Sequence, residues 1–191
     1  MFQQVYAISK NTFTEAIRQP IYVVLILVFS LWLIVNTFLS AYTLDDDNRM
    51  LVDMGLCLLL LAGLFFATFT ATGSLSTEIE NRTVLTIISK PVSRPLFVFG
   101  KYVGVMAAIM LATYILSIVF LLTLRHKVMQ SAADEWDFPV SIFGFGALAL
   151  SMIIATAGNY MYRWVFPSTF TIALGSLITF AYLMVLVIDP E

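Results

Sequence analysis

The chain has 191 residues, of which 60% are hydrophobic and only 12% are charged, and its formal net charge is −2. Its mean hydropathy is +0.93, and its apolar share exceeds the roughly 45–50% of soluble globular domains. This composition leaves no room for a separate soluble catalytic domain and gives no basic surface for nucleic acid. We expect an all-α integral membrane protein whose single transmembrane domain covers residues 1–191.

Residues 1–19 are predicted to form an amphipathic helix that lies in the membrane interface. Polar and charged side chains fall mostly on one side of this helix, and the other side is largely apolar. The residues close to the apolar face are Phe2, Val5, Tyr6, Ser9, Phe13, Ala16 and Ile17. Pro20 follows and suits the first turn of a new helix.

Five apolar runs follow, and each approaches or exceeds the roughly 20 helical residues that cross a hydrocarbon core. The expected spans are 21–44, 51–74, 102–124, 140–161 and 167–188. Asn36 and Asn159 are polar residues inside these spans, and we expect each to make a hydrogen bond between helices, with a role in a polar path as the alternative. Cys57 lies in an apolar run and is expected to be a small packing residue.

Lys and Arg are distributed unevenly between the two sides of the predicted domain. With a cytoplasmic N-terminus, seven basic residues lie inside and three lie outside. The inside set is Lys10, Arg18, Arg82, Lys90, Arg94, Lys101 and Arg163, and the outside set is Arg49, Arg125 and Lys127. Because basic residues favour the cytoplasmic side, the sequence predicts a multi-pass protein of the cell (inner, cytoplasmic) membrane with its N-terminus in the cytoplasm.

Residues 76–100, between the second and third spans, form a charged and proline-punctuated segment that this orientation places in the cytoplasm. Glu78 and Glu80 are expected to continue a helix out of the membrane, and residues 83–89 are expected to form a short amphipathic helix. Pro91 would end that helix. The apolar side chains that could enter a groove on a partner are Val84, Leu85, Ile87 and Ile88.

The same segment carries a family resemblance in three motifs: EIENRTVLT at 78–86, SKPVSR at 89–94 and FVFGK at 97–101. They resemble the corresponding motifs of type-2 ATP-binding-cassette (ABC) permeases, most closely the branch described as permease components for multi-copper enzyme maturation. The opening TFTEAIRQP at 12–20 is similar to the amphipathic opening of that family. With the order of spans, the resemblance covers essentially the whole chain.

The resemblance implies that residues 78–89 are the coupling helix that contacts a separate ABC ATPase subunit. The positions carried over to this interface are Glu78, Glu80, Arg82, Thr83, Val84, Leu85, Ile88, Ser89, Lys90 and Arg94. It also implies a second permease copy or paralogue, and either export of a lipid, peptide or other small molecule or transmission of force to a periplasmic or cell-surface partner. The family's half-transporter usually has six spans, so either a last span is missing from this sequence or the protein is a short variant.

Two other interpretations of the charged segment remain open. Glu78, Glu80 and Arg82 could form only a solvated helix end, with Arg82 balancing the acids. The chain could also be a membrane scaffold or assembly subunit that does not transport. We expect the chain itself not to be an enzyme, because the Walker pattern around Lys101 would need Gly at Pro95 and Ser or Thr at Tyr102.

The sequence offers no catalytic, cofactor or metal residues. His126 stands between two basic residues in a predicted outer loop, and one His without clustered Cys or Met does not make a transition-metal site. Gly100 and Gly104 form a G-x-x-x-G pattern, which close helix packing explains.

Overall fold

The structure, a computed structural model, describes residues 2–39, 47–80, 94–126, 128 and 137–188. These residues form six α-helices: α1 (Phe2–Arg18), α2 (Pro20–Leu39), α3 (Asp47–Glu80), α4 (Arg94–His126), α5 (Phe138–Tyr162) and α6 (Phe166–Ile188). Helices α2 to α6 each contain a stretch long and apolar enough to cross a membrane. The predicted all-α fold, with an N-terminal helix followed by five spans, is confirmed.

The outer surface of the helix bundle is apolar. Leu31 on α2, Leu64 on α3 and Met110 on α4 are 63%, 57% and 62% exposed. Large exposed apolar areas are rare on soluble monomers but are favourable against lipid tails. Together with the five spans, this surface identifies an integral multi-pass membrane protein.

Helix α4 lies at the centre of the bundle and packs against each of the other described helices. One stripe along it, formed by Ala108, Ala112, Ile115 and Leu116, is 0% exposed. The two alanines let neighbouring backbones approach closely, which is how helices associate where no water drives them together. The core therefore follows the length of α4.

The helices alternate in direction, so the bundle has two distinct ends. At the junction end lie α1, the start of α2, the end of α3, the start of α4 and the turn between α5 and α6. At the far end lie the end of α2, the start of α3, the end of α4 and the start of α5. Residues 81–93 connect α3 to α4 at the junction end.

Local sequence explains where several helices begin and end. Pro20 occupies the first turn of α2, where the missing N–H costs nothing. At the start of α5, the Val140 N–H donates to Asp137 Oδ1 at 3.2 Å, which caps the helix. α5 ends at Tyr162, and the left-handed φ of 56° at Arg163 turns the following Trp164 N–H back to the Gly158 carbonyl at 3.2 Å.

Some predicted boundaries can be compared with the structure. α2 is described as far as Leu39, and its predicted end at residue 44 lies outside the described part of the chain. α3 continues to Glu80, as predicted for Glu78 and Glu80. α4 is longer than the predicted span at 102–124, because polar residues beyond the lipid do not by themselves end a helix. His126 consequently closes the last turn of α4 instead of lying in a loop.

On α1, Phe2 and Tyr6 are exposed, and Thr12 is buried with Ala16 and Ile17. Two predicted side-chain environments need correction. Cys57 is exposed on the outer face of α3 and does not pack in the core. Asn159 donates from Nδ2 to the Trp164 carbonyl at 2.7 Å, closing the local α5–α6 turn rather than linking two helices. Asn36 does link two helices as predicted, since its Nδ2 donates to the Leu51 carbonyl at 3.2 Å.

Candidate functional site at the junction end

The structure places part of the predicted coupling interface. Glu78 and Glu80 lie in the last turns of α3, and Arg94 is the first residue of α4. The other predicted residues lie outside the described part of the chain: Arg82, Thr83, Val84, Leu85, Ile88, Ser89 and Lys90. The amphipathic helix at 83–89 therefore stays a prediction, and the described helices locate the two points at which the segment is attached.

Both attachment points are ends of unusually long helices. α3 has 34 residues and α4 has 33. At about 1.5 Å per residue each is about 50 Å long, whereas the hydrocarbon core is about 30 Å thick. The apolar stretch of α3 ends at Ser74, so its last residues have the length and the charge to extend into water.

Lys101 connects these two helices just inside their ends. Its Nζ lies 3.3 Å from Ser74 Oγ and 3.5 Å from the Ser74 carbonyl oxygen on α3. It also lies 5.5 Å from the centre of the Phe97 ring on its own helix, a cation–π distance. A half-buried ammonium group near a membrane requires such partners, and they hold the start of α4 against the end of α3.

Helix α1 packs into the glycine face of α4. A Cβ atom built on Gly104 would lie 2.6 Å from the Ser9 carbonyl oxygen and 2.7 Å from Thr12 Cβ. One built on Gly100 would lie 2.9 Å from Ile8 Cγ2. The two helices are thus closer than any side chain at these positions would permit, and the prediction that this G-x-x-x-G pattern serves helix packing is confirmed.

The corner between α1 and α2 is attached to the same assembly. A Cβ on Gly73 of α3 would lie 2.6 Å from the side-chain amide of Gln19, the residue between α1 and α2. Tyr22, in the first turn of α2, donates its buried hydroxyl to the Ala108 carbonyl of α4 at 2.6 Å. Four helices are therefore fixed to one another immediately below the attachment points of residues 81–93.

The contacts at the junction end join four helices mechanically. Within the described ranges, no group of three or more His, Cys, Asp and Glu side chains is placed to hold a metal ion. The contacts between helices at the junction end are close packing against Gly73, Gly100 and Gly104, the hydrogen bond from Lys101 to Ser74, and the hydrogen bond from Tyr22 to Ala108. A displacement applied to residues 81–93 would reach α3 and α4 first, and α1 and α2 through them.

A second feature, at the far end, was not found from the sequence. Helices α2, α4, α5 and α6 enclose a cleft of about 170 Å³, here called the far-end cleft. Its lining is mainly aliphatic and aromatic, with Ser30, Thr37, Thr123, Ser141 and His126 as the polar residues. The one sequence signal for it is Ser30, a hydroxyl in the otherwise apolar middle of α2, and that signal does not indicate the other three walls.

Comparison of the chain with protein-family models, curated proteins and solved structures finds no match. The class established by fold and surface is thus a multi-pass helical membrane protein with five candidate spans.

Proposed function

We propose that this chain is the permease subunit of a type-2 ABC system and that residues 76–100 bind a separate ATPase subunit. The motifs at 78–86, 89–94 and 97–101 support this proposal through their resemblance to that family. The uneven distribution of Lys and Arg supports a cytoplasmic junction end, where the ATPase would be.

The observation that carries the proposal is the construction of the junction end. A solvated loop would need only two helix ends, yet here Lys101, Gly73 and Gly104 hold α1, the start of α2, α3 and α4 together beside the loop. Because α3 and α4 run unbroken from this assembly to the far end, ATPase movement would shift whole helices instead of being absorbed locally. Coupling then consists of a bias between two rigid-body arrangements of the spans.

The membrane partner in this proposal is a second copy of the chain or a paralogue. The resemblance implies two membrane halves above two ATPase subunits. The output is export of a membrane-accessible cargo or transmission of force to a partner on the other side.

The direct test is Leu85→Asp, which would place a charge in the apolar contact with the ATPase. The probe is the Walker-motif ATPase encoded nearest to this chain, and the readouts are co-purification and stimulated ATP hydrolysis. We expect a loss of several kcal/mol of association, on the order of 100-fold or more in affinity. Leu85→Met is the matched control, because it keeps an apolar side chain of similar volume.

A second pair of variants separates coupling from simple charge effects. Glu80→Lys changes a residue in the proposed interface, and Glu135→Lys makes the same change in the segment predicted on the other side of the membrane. Only Glu80→Lys should weaken ATPase stimulation. If Leu85→Asp inserts normally and leaves complex and turnover at wild-type levels, the coupling proposal is wrong and the scaffold interpretation is favoured.

A further inference from the structure

The turn between α5 and α6 carries exposed aromatic rings on both sides of Arg163. Residues 160–164, with the sequence YMYRW, are here called the aromatic turn. Tyr160, Tyr162 and Trp164 are 88%, 66% and 53% exposed. The aromatic turn lies at the junction end but outside the proposed coupling segment, so a role for it does not depend on the ATPase contact.

Arg163 has an exposed side chain that is available to bind a group from outside the bundle. It is the one charged residue in the sequence between Asp137 and Asp189. Among the described residues, its guanidinium group makes no hydrogen bond and no ion pair. A guanidinium group presents its N–H donors in a planar fork that matches the oxygens of a phosphate group. The side chain therefore has the chemistry to bind an anion.

The backbone at Arg163 supports a role for this side chain. Its φ of 56° lies in the left-handed region, and no other non-glycine residue in the described ranges has a positive φ. Glycine adopts this conformation without cost and is the usual residue at such a helix end, whereas a residue with a Cβ adopts it at a cost. Because glycine would form this turn more easily, the arginine is explained by what its side chain binds.

Hydrogen bonds and ring packing hold the aromatic turn in one conformation. The Trp164 N–H donates to the Gly158 carbonyl at 3.2 Å, and Asn159 Nδ2 donates to the Trp164 carbonyl at 2.7 Å. The Trp164 ring lies against Gly158, where a Cβ would be 2.8 Å from Trp164 Cε3. The same ring stacks on Tyr162 with the ring centres 5.3 Å apart. Arg163 therefore lies in a fixed turn between two ordered rings.

The lengths of α5 and α6 place the aromatic turn at the level of the lipid headgroups. With 25 and 23 residues, these helices are about 38 and 35 Å long, only slightly longer than a hydrocarbon core of about 30 Å. Tyr and Trp are enriched at this level, where the ring lies against acyl chains and the polar atom meets headgroups. Lipid headgroups are therefore the anions within reach of Arg163.

The charge of the junction end favours an anionic headgroup. The parts of the sequence at this end, residues 1–19, 75–101 and 160–166, contain seven basic and three acidic residues. Helix α1 packs against α6 and adds Lys10 and Arg18 as exposed residues. Positive charge near a membrane surface attracts anionic lipids, whereas a zwitterionic lipid has no net charge and gains little.

We propose that the aromatic turn binds the headgroup of an anionic phospholipid, such as phosphatidylglycerol. Arg163 donates hydrogen bonds to the phosphate group, and the rings of Tyr162 and Trp164 lie against the glycerol and the upper acyl chains. Lys10 and Arg18 add attraction for the negative charge. The site has the same preference in either orientation of the chain, because the turn meets the headgroups of whichever leaflet it faces.

Trp164 provides a fluorescent reporter inside the site. Trp32, exposed on α2, and Trp136, outside the described residues, are first replaced by Phe. The full chain is then placed in phosphatidylcholine vesicles that contain a fixed fraction of brominated lipid, either phosphatidylglycerol or phosphatidylcholine. Bromine quenches tryptophan fluorescence on contact, so the ratio of the two quenching curves gives the enrichment of the anionic lipid at the turn. We expect an enrichment of at least about fivefold, the contribution of one Arg at a membrane surface.

Two substitutions of Arg163 separate lipid binding from folding. Arg163→Gln and Arg163→Gly should each lower the enrichment about fivefold. Arg163→Gly should also melt at or above the wild-type temperature, because glycine suits the left-handed backbone, so its loss of enrichment is not a result of unfolding. Arg49→Gln is the matched control. It removes the same charge from an exposed residue in the first turn of α3, at the far end, and should leave the enrichment unchanged.

Four results would overturn the proposal. They are equal quenching by the two brominated lipids, full enrichment in Arg163→Gly, an equal fall in Arg163→Gln and Arg49→Gln, and loss of the enrichment when soluble glycerol phosphate is added at constant ionic strength. The third result would mean that diffuse charge attracts the lipid. The fourth would mean that the aromatic turn binds a free anion instead of a lipid.

Discussion

The contact between α1 and α4 provides a quantitative test of the junction end. Gly104→Ala adds one methyl group to α4 at a position where no space exists for it. The atoms that it would meet are the Ser9 carbonyl oxygen at 2.6 Å and Thr12 Cβ at 2.7 Å. Neither is the flexible end of a long side chain, so the strain is relieved only if α1 moves away from α4.

The expected cost follows from the known effect of adding a methyl group to a filled core, about 1–3 kcal/mol. Replacing Gly by Ala in a helix also stabilises by up to about 1 kcal/mol, which would hide part of that cost. Comparison with Gly146→Ala removes this contribution, because Gly146→Ala makes the same substitution in α5, where the added Cβ meets nothing within 4 Å. For a chain of this length, a change of 1 kcal/mol in the free energy of unfolding shifts the melting temperature by about 2–4 °C. The melting temperature of Gly104→Ala should therefore lie about 2–12 °C below that of Gly146→Ala.

Two measurements check this expectation. Thermal unfolding of both variants in the same detergent gives the difference in melting temperature. Limited trypsin digestion then reports on α1, since Lys10 and Arg18 are exposed on it and should be cleaved faster once α1 separates from α4. Equal melting temperatures and equal cleavage rates for the two variants would refute the close packing of α1 against α4.

Three further outcomes are expected. In a Cys57→Ala background, Ser93→Cys and Ser131→Cys should react with impermeant reagents from opposite sides of the membrane, and labelling of the first from outside intact cells would contradict a cytoplasmic junction end. The working particle should contain at least two membrane subunits by mass measurement in mild detergent, which a fully active single copy would disprove. Tyr22→Phe removes the hydrogen bond to the Ala108 carbonyl and should lower the melting temperature by about 2–4 °C, the equivalent of about 1 kcal/mol; an unchanged value would mean that the bond does not stabilise the fold.

The five spans could be predicted because hydrophobicity and length define a transmembrane helix almost without reference to its neighbours. The packed face of α1 could not be predicted in the same way. The apolar face predicted from periodicity includes Phe2 and Tyr6, which do not pack in the bundle, whereas Thr12 is buried. Near lipid both sides of a helix can be apolar, and the packed side is selected by fit to a partner, here the glycine face of α4.

The two candidate sites differ in how far local sequence reveals them. Residues 76–100 are contiguous, so their charges and prolines form a recognisable pattern in one stretch of chain. The far-end cleft combines residues from Ser30 to Ile178, and no local pattern predicts which four helix faces meet. Asn36 and Asn159 attracted attention as amides in apolar runs, although both are used within the fold. Ser30, the less conspicuous residue, has a buried hydroxyl that makes no hydrogen bond with any described group.

Helix α4 connects the two sites physically. Its first turns hold Lys101 and Gly104 at the junction end, and its last turns supply Leu122 and His126 to the far-end cleft. The opposite wall of the cleft is α5, which packs chiefly against α6 and only weakly against α4. A shift of α4 relative to α5 would therefore change the width of the cleft.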